Sequence, residues 1–278
     1  MASNSTASTP IALSIAGSDP SGGAGIQADL KTFAACKVFG TSVVSALTAQ
    51  NTLGVQALAP VAPEFVALQL RTLLADMPIA AVKTGMLYSA KVICAVLAEL
   101  PAHLPLVVDP VLVSSSGRRL LDHEGEQVLR EQLLPRATLL TPNLDEAAAL
   151  LQCQTATSEL DIIDQARALL DLGPQAVLIK GGHGEGPMAT DLLLLSDHLV
   201  VPGDDRQFVF NSSRLRVSNS HGTGCTLSAA ICANLAKGEP LLGAVATAKE
   251  FIIGALKRAD EFELGSGAGS VHHFHPYY

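Results

Sequence analysis

Short apolar segments alternate with amphipathic segments along nearly the whole chain. Residues 11–16, 106–108 and 176–179 are apolar almost throughout, and they are short enough to be strands rather than helices. Between such runs the apolar residues recur at helical spacing, as they do in residues 63–74. Apolar strands separated by helices are typical of a parallel sheet that is covered on both faces. The sequence therefore predicts an α/β fold with a central, mostly parallel sheet and helices on both sides.

The same pattern predicts the order of the elements. Strands are predicted at residues 11–16, 42–49, 80–83, 106–108, 138–140 and 176–179, with antiparallel edge strands at 191–196 and 208–217. Helices are predicted at residues 26–36, 63–74, 91–100, 124–134, 145–151 and 160–172, and two more begin near residues 225 and 241. No linker or low-complexity segment interrupts the pattern. We therefore expect a single domain over residues 11–278, preceded by a flexible tail at residues 1–10.

Composition excludes several classes of partner. The net charge is -8 with scattered signs, and aromatic residues make up 4% of the chain without any tryptophan, so a nucleic-acid-binding surface is not expected. No apolar run approaches the ~20 residues that span a bilayer. The five widely spaced cysteines form no CxxC pair, which favours a reducing compartment. We expect a cytoplasmic protein without a nucleic-acid or membrane partner.

One loop, His221-Gly222-Thr223-Gly224-Cys225-Thr226 (the glycine loop), runs directly into a segment rich in alanine and leucine. Its two glycines allow a tight turn, and the following residues favour a helix that begins near Cys225. Free N–H groups at a helix N-terminus bind anions such as a phosphoryl group, and they favour a thiolate with a pKa below the ordinary value of about 8.5. A small buried cysteine at an ordinary loop-to-helix junction is the alternative interpretation.

Residues suited to contact a ligand follow the predicted strands where these end. These residues are Asp19, Gln50, Met86, Asp109, Asn143 and Lys180. Ligands of open α/β sheets bind at this edge. A turn or a helix cap explains each residue equally well when it is taken alone. Their recurrence at one edge nevertheless predicts a ligand site there.

Two familiar phosphate-binding motifs are missing. The chain contains no G-x-x-x-x-G-K-[ST] sequence, and residues 22–25 do not form a G-x-G-x-x-G loop. Phosphoryl transfer depends chiefly on positioning and charge neutralisation. Lys180 is therefore a candidate for pairing with ATP phosphates, and Asp109, Asn143 and Glu146 are candidates for holding magnesium directly or through water. Cys225 is either the base that removes a hydroxyl proton or a covalent nucleophile.

Six segments carry a resemblance to a known family. They are residues 16–32, 84–87, 108–111, 141–147, 180–183 and 221–226, in the family's order. The chain resembles the hydroxymethylpyrimidine/phosphomethylpyrimidine kinases of thiamine biosynthesis, in the ribokinase-like superfamily. The resemblance implies a three-layer ribokinase-like sandwich and a homodimer. It also implies two successive phosphorylations with ATP and Mg²⁺, from 4-amino-5-hydroxymethyl-2-methylpyrimidine to its monophosphate and then to its diphosphate.

The resemblance also implies roles for individual residues. Those implied in catalysis are Cys225, Gly222, Gly224 and Lys180. Those implied in binding the pyrimidine are Gln50, Asp29, Met86 and Gly17. The resemblance implies Lys180 for the nucleotide phosphates and Glu146 for magnesium. Asn143 and Thr223 are further candidates for the nucleotide, and Asp109 is a further candidate for magnesium. Gln50 suits an aminopyrimidine edge because its amide carries both a donor and an acceptor.

Three alternatives stay open at this point. A pyridoxal kinase, or an enzyme with both activities, acts on a similar hydroxymethyl group on a flat ring. A non-catalytic vitamin-precursor binding protein keeps the pocket but has no use for Lys180, Glu146 and the glycine loop. His221 with residues 271–275 is a candidate metal site, although no cysteine or acidic partner stands at ligand spacing. His183 is expected in a loop near the nucleotide, without a catalytic role.

Overall fold

The computed structural model describes residues 9–114, 117–182, 186–199, 203 and 205–278. Its strands are β1 (Ile11–Ala16), β2 (Phe39–Val44), β3 (Ala46–Asn51), β4 (Gly54–Pro60), β5 (Ala81–Thr84), β6 (Leu106–Val108), β7 (Leu139–Leu140), β8 (Ala176–Lys180), β9 (Met188–Leu195) and β10 (Gln207–Ser213). Its α-helices are α1 (Gly25–Ala35), α2 (Pro63–Leu74), α3 (Ala90–Glu99), α4 (His123–Val128), α5 (Leu144–Leu151), α6 (Glu159–Leu170), α7 (Thr223–Ala236) and α8 (Leu241–Lys257).

Eight strands form one sheet in the order β10-β9-β8-β7-β6-β5-β1-β2. All neighbouring strands in the run β8-β7-β6-β5-β1-β2 are parallel, whereas β9 runs antiparallel to both β8 and β10. Successive side chains of a strand point to opposite faces, so Leu13 and Ile15 enter one core and Ala12 enters the other. Helices α2, α3, α5 and α6 cover the first core, and α1, α7 and α8 cover the second. The expected three-layer α/β sandwich is confirmed.

One predicted strand is wrong. The apolar pattern of residues 42–49 indicates a single strand, but β2 ends at Val44 and the chain turns at Ser45. The buried Ser45 donates its N–H to Ala16 O (3.0 Å) and its hydroxyl to Met86 O (2.6 Å). Strand β3 then leaves the sheet and pairs with β4 in an antiparallel hairpin. Gln50 therefore lies within this hairpin, and not beyond the end of a strand of the main sheet.

A second difference concerns the helix predicted at residues 124–134. Helix α4 ends at Val128, and the chain continues as a π-turn at Leu129–Leu133 and a 3₁₀ turn at Leu134–Arg136. Pro135 has no N–H to donate, so a regular helix does not continue through it. The last predicted strand is also shorter than expected, because β10 ends at Ser213 rather than at residue 217.

Two expectations concern the chain as a whole. Within the described ranges, no helix combines the length and the apolar character needed to cross a membrane. Residues 1–8 of the predicted tail lie outside the described residues. The division into a tail and a single domain at residues 11–278 stays a prediction.

A fully buried ion pair joins α1 to the centre of the sheet. The ammonium group of Lys83 on β5 lies 2.7 and 2.8 Å from the two carboxylate oxygens of Asp29 on α1, and neither side chain is exposed. The Ser14 hydroxyl of β1 donates to the same carboxylate (2.5 Å). Burial opposes the charge of Lys83, but the carboxylate of Asp29 outweighs this effect and raises the pKa of Lys83.

We predict that breaking this pair destabilises the protein strongly. Replacing Lys83→Met leaves a buried carboxylate without its counter-charge, and the expected loss in free energy of unfolding is about 3–5 kcal/mol. The double variant with Asp29→Asn should recover at least about 1 kcal/mol, because it removes the uncompensated charge. Urea denaturation at neutral pH measures both changes.

Arg71→Gln is the control, since it breaks the exposed ion pair between Arg71 and Glu99. Its cost should stay below about 1 kcal/mol. Equal losses for Lys83→Met and Arg71→Gln would contradict the proposed stabilisation.

Candidate functional site

Three charged side chains meet at the carboxyl edge of the sheet. Asp109 directly follows β6, and Lys180 is the last residue of β8. The Lys180 ammonium group lies 3.0 Å from Asp109 Oδ1 and 3.9 Å from Glu146 Oε2, and all three side chains are largely buried. Of these residues (the charged cluster), Asp109 and Lys180 are predicted from separate strand ends, and Glu146 from the segment after a third strand. The structure brings them together.

The charges within this cluster influence one another. Burial opposes ionisation of Asp109, but the ammonium groups of Lys180 and Lys83 outweigh it, so the pKa of Asp109 is lowered. Burial likewise opposes the charge of Lys180, and Asp109 together with Glu146 raises the pKa of that lysine. Burial raises the pKa of Glu146 to about 7, although Lys180 partly opposes this. Near neutral pH Glu146 is thus only partly ionised, and an added cation would favour its ionised form.

Asn143 and Glu146 form the N-terminal cap of α5. The Asn143 side-chain oxygen accepts the N–H of Glu146 (2.8 Å), and Glu146 Oε2 accepts the N–H of Asn143 (2.8 Å). This capping box fixes the carboxylate of Glu146 beside Lys180 and leaves Oε1 for another partner. Asn143 therefore orients Glu146, whatever further contact it makes with a ligand.

The donor set suits a magnesium ion that takes most of its ligands from phosphates and water. No group of three or more His, Cys, Asp or Glu side chains able to hold a metal occurs among the described residues. Magnesium keeps several waters and typically uses one or two carboxylates together with phosphate oxygens. Asp109 and Glu146 fit that requirement, whereas a site built from protein ligands alone does not fit.

The glycine loop presents the N-terminus of α7 to the charged cluster. Gly222 caps the helix in the left-handed region (φ 78°), and a Cβ there would lie 1.7 Å from Gly23 O. Only glycine fits this position. A Cβ on Gly224 would lie 3.3 Å from the ammonium nitrogen of Lys180, so that lysine faces the helix N-terminus. Ser228, one turn into α7, donates to Asp109 Oδ2 (3.1 Å) and joins the helix to the cluster.

This helix N-terminus has unused hydrogen-bond donors. In the described part of the chain, the backbone N–H groups of Gly224 and Cys225 have no acceptor, and no side chain caps the helix. The Thr223 hydroxyl donates to Ser220 O (2.6 Å), so toward a ligand it acts as an acceptor only. Free N–H groups opposite a buried lysine make a site for an anion. Gly222 and Gly224 thus lie beside Lys180 at the start of α7.

The expectation of a lowered cysteine pKa is wrong. The pKa of Cys225 is raised to about 11, chiefly by burial. The carboxylates of Asp109 and Asp29 act in the same direction, whereas Lys83 and a hydrogen bond from the backbone of Gly25 act in the opposite direction. The sequence reveals the helix N-terminus, which favours a thiolate, but not the two carboxylates that disfavour it. Cys225 is a neutral thiol near pH 7.

The residues assigned to the substrate line a second region, next to the hairpin. A Cβ on Gly17 would lie 2.1 Å from Met86 Cε, so the missing side chain makes room for Met86. Met86 packs with Ala46 at the base of β3. The amide of Gln50, farther along β3, lies 3.2 Å from His221 Nε2. Gly17 and Met86 thus lie together at the base of the hairpin, and Gln50 contacts the glycine loop through His221.

Asp29 differs from the other substrate candidates. Its carboxylate is completely buried and is already bound to Lys83 and Ser14. Its assignment to the pyrimidine stays a prediction, as do the assigned contacts of the other site residues.

Several residues at the site were missed or placed elsewhere by the sequence. Lys83 and Ser228 were not proposed, although a lysine inside the apolar run of β5 is a signal of a buried partner. The alternative metal site is not assembled, because His221 Nε2 lies 2.9 Å from Asp19 Oδ2 while His273 Nε2 lies 3.0 Å from Thr226 Oγ1. His183 lies outside the described residues.

Comparisons with known proteins agree with this arrangement. A model of the family described as phosphomethylpyrimidine kinase matches residues 19–272. The hydroxymethylpyrimidine/phosphomethylpyrimidine kinase of Rhizobium meliloti is 48% identical over 269 residues, which cover 96% of this chain and 98% of that protein.

Solved structures of two kinases are also similar to the chain. An ADP complex of Bacillus subtilis pyridoxal kinase has a TM-score of 0.83 at 36% identity, with 96% of this chain and 98% of that chain covered. The phosphomethylpyrimidine kinase of Clostridium difficile has a TM-score of 0.75 at 38% identity, with 88% and 98% covered.

The family match extends over the charged cluster, the hairpin and the glycine loop, and it leaves out little more than the two ends of the chain. The chain therefore belongs to the phosphomethylpyrimidine kinase family.

Proposed function

We propose that the protein transfers the γ-phosphoryl group of ATP to the hydroxymethyl group of 4-amino-5-hydroxymethyl-2-methylpyrimidine, and then a second phosphoryl group to the monophosphate. The observation that carries this proposal is the ammonium group of Lys180 opposite the uncapped N-terminus of α7. A protein that only binds a vitamin precursor has no use for that arrangement. Kinase names throughout the family support the same reading.

In this proposal the N–H groups of Gly224 and Cys225 donate to the oxygens of the group in transfer. Lys180 contacts the same phosphates from the opposite side, and Thr223 and Asn143 border them. As the acceptor oxygen approaches phosphorus, the bond to the β,γ-bridging oxygen breaks and ADP leaves. Fixed N–H donors and a buried lysine stabilise the charge of this transition state without reorganisation, which is the main contribution a kinase site makes.

Magnesium is the proposed metal, held by Glu146 and Asp109 directly or through water. When bound, the ion would neutralise part of the negative charge of the phosphates. Both carboxylates remain ionised more easily when a cation lies beside them, and the proton that Glu146 carries near its pKa of about 7 would be released.

Cys225 is the proposed proton acceptor. The hydroxyl proton of the substrate passes to Sγ while the new O–P bond forms, which requires the thiolate. Because burial raises the pKa of Cys225 to about 11, only a small fraction of the protein carries that thiolate near pH 7. The competing role, a covalent nucleophile, has no supporting observation in the structure.

The five cysteines are all free thiols, which supports a reducing, cytoplasmic location. The homodimer implied by the family resemblance stays a proposal.

Pyridoxal is the second candidate substrate, because a solved pyridoxal kinase resembles the chain closely. A side-by-side assay distinguishes the two, with ADP release and product mass as readouts. We expect the hydroxymethylpyrimidine to be phosphorylated at least as efficiently as pyridoxal, and to proceed to the diphosphate. A clear preference for pyridoxal would overturn the proposed substrate, and absence of transfer to either would overturn the kinase proposal.

We predict that the turnover of the wild-type enzyme rises with pH. Below the pKa of about 11 the thiolate fraction of Cys225 increases about tenfold per pH unit, so kcat should rise steadily between about pH 6.5 and 9. Cys225→Ala should lower kcat by ~10²-fold, flatten the profile and leave the KM for ATP nearly unchanged. Cys94→Ala, at an exposed position on α3, is the matched control. A flat wild-type profile would exclude Cys225 as the base.

We predict that Gln50→Ala raises the KM for the pyrimidine at least about tenfold, because it removes two hydrogen bonds to the ring. The KM for ATP should change less than about twofold, since the nucleotide binds at the charged cluster. Gln56→Ala, at an exposed position on the other strand of the hairpin, is the control. Equal effects on both substrates would remove Gln50 from the pyrimidine pocket.

A further inference from the structure

The amide of Gln50 is held between two polar side chains. His221 Nε2 lies 3.2 Å from one end of the amide, and Thr48 Oγ1 lies 3.2 Å from the other end. Both neighbours have partners of their own, and those partners determine whether each neighbour donates or accepts. The two contacts therefore fix which end of the amide carries oxygen and which carries nitrogen.

At the first end, Asp19 determines the state of His221. Asp19 Oδ2 lies 2.9 Å from His221 Nε2 and also accepts the N–H of Ala24 (2.8 Å), while Oδ1 accepts both the N–H (2.9 Å) and the hydroxyl (2.6 Å) of Ser21. Burial raises the pKa of Asp19, but its hydrogen bonds with His221 and Ser21 outweigh this effect and lower the pKa overall. An ionised carboxylate only accepts, so His221 Nε2 carries a proton. That proton is donated to Asp19, and a protonated Nε2 has no lone pair to accept an amide N–H. The amide oxygen, which can share the Nε2 proton, is therefore the end of Gln50 that suits His221.

At the second end, Ser18 determines the role of Thr48. The Thr48 hydroxyl donates its single proton to the carbonyl oxygen of Ser18 (2.8 Å). Toward Gln50 the hydroxyl is consequently an acceptor, and it requires the amide nitrogen. In the structure the Gln50 NH₂ group faces His221, so that two donors oppose each other. A half-turn of the amide lets its nitrogen donate to Thr48 and lets its oxygen share the His221 proton with Asp19.

We infer that His221, held by Asp19, and Thr48 together set the direction of the Gln50 amide and thereby the selectivity of the pocket for an amino-substituted ring. This inference rests on the proposed function. With oxygen toward His221 and nitrogen toward Thr48, the free edge of the amide presents one acceptor and one donor in a fixed order. A ring with an amino group beside a ring nitrogen satisfies both.

A ring without the amino group leaves Gln50 Oε1 unsatisfied, because the amide does not turn over to compensate. Turning it over would place NH₂ against the N–H of His221 and oxygen against the hydroxyl oxygen of Thr48. His221 and Thr48 are positioning residues in this scheme, since they act on the ring through Gln50.

His221 also belongs to the glycine loop. Its backbone N–H donates to Gly269 O (3.0 Å), and a Cβ on Gly23 would lie 2.6 Å from the His221 ring. The ring is therefore packed as well as hydrogen-bonded. A substitution of similar shape, His221→Phe, removes the donor and keeps a ring at this position.

The test compares two acceptors, 4-amino-5-hydroxymethyl-2-methylpyrimidine and the same pyrimidine without its 4-amino group. The readout is the ratio of their kcat/KM values, because a merely structural loss lowers both values and leaves the ratio unchanged. We expect the wild-type enzyme to favour the amino compound, and His221→Phe and Thr48→Val each to reduce that ratio about tenfold. Thr48→Ser, which keeps the hydroxyl, should retain the wild-type ratio. An unchanged ratio in both His221→Phe and Thr48→Val would overturn the inference, as would an equal loss in Thr48→Ser.

A second measurement needs no variant and no substrate. Long-range ¹H–¹⁵N spectra of the wild-type protein report which ring nitrogen of His221 is protonated, and we expect Nε2–H. An unprotonated Nε2 would refute the assigned direction of the amide. If the wild-type enzyme phosphorylates neither pyrimidine, the proposed function fails, and the His221 spectrum still decides the direction of Gln50.

Discussion

The ion pair between Lys180 and Asp109 is the interaction on which the site depends. It joins the ends of β8 and β6, two strands of the parallel sheet with β7 between them, at the edge where ligands bind. Ser228 attaches α7 to the same carboxylate, so the helix N-terminus is held opposite the lysine. A buried charge pair of this kind adds little net stability, but loss of one partner is costly. The pair therefore fixes where an anion binds more than it stabilises the fold.

The site also depends on the close approach of the backbone at Gly23 to Gly222. The chain at Gly23 passes so near Gly222 that no side chain fits there, and Gly222 also has a positive φ. This contact brings the loop after β1 against the start of α7, so the proposed pyrimidine side and the proposed phosphate side of the site become neighbours. His221 lies at that junction, bonded to Asp19 of one loop while its backbone belongs to the other. The proposed selection of the substrate and the proposed phosphoryl transfer consequently both depend on the contact between these two loops.

Local patterns predicted the sheet, its order of elements and the positions of Asp109, Asn143 and Lys180, because apolar runs and the residues that end them are visible in any sequence. Gln50 was placed wrongly because the apolar pattern continues through Ser45, where the chain leaves the sheet to satisfy bonds with Ala16 and Met86. The pKa of Cys225 was expected to change in the wrong direction for a similar reason. The helix N-terminus is local, whereas the burial of the thiol and the approach of Asp29 and Asp109 arise only through the tertiary fold.

Burial is the main cause of the raised pKa of Cys225, and two of the charges that prepare the site for phosphate act in the same direction. Asp109 keeps Lys180 charged in a buried position, and Asp29 does the same for Lys83. Both carboxylates also disfavour a thiolate at Cys225. A site cannot remove them to activate the cysteine without losing the lysines that neutralise phosphate charge. Phosphoryl transfer tolerates this conflict, because its loose transition state needs charge stabilisation more than early removal of the hydroxyl proton. The arrangement favours neutralisation of the transferred group over the strength of the base.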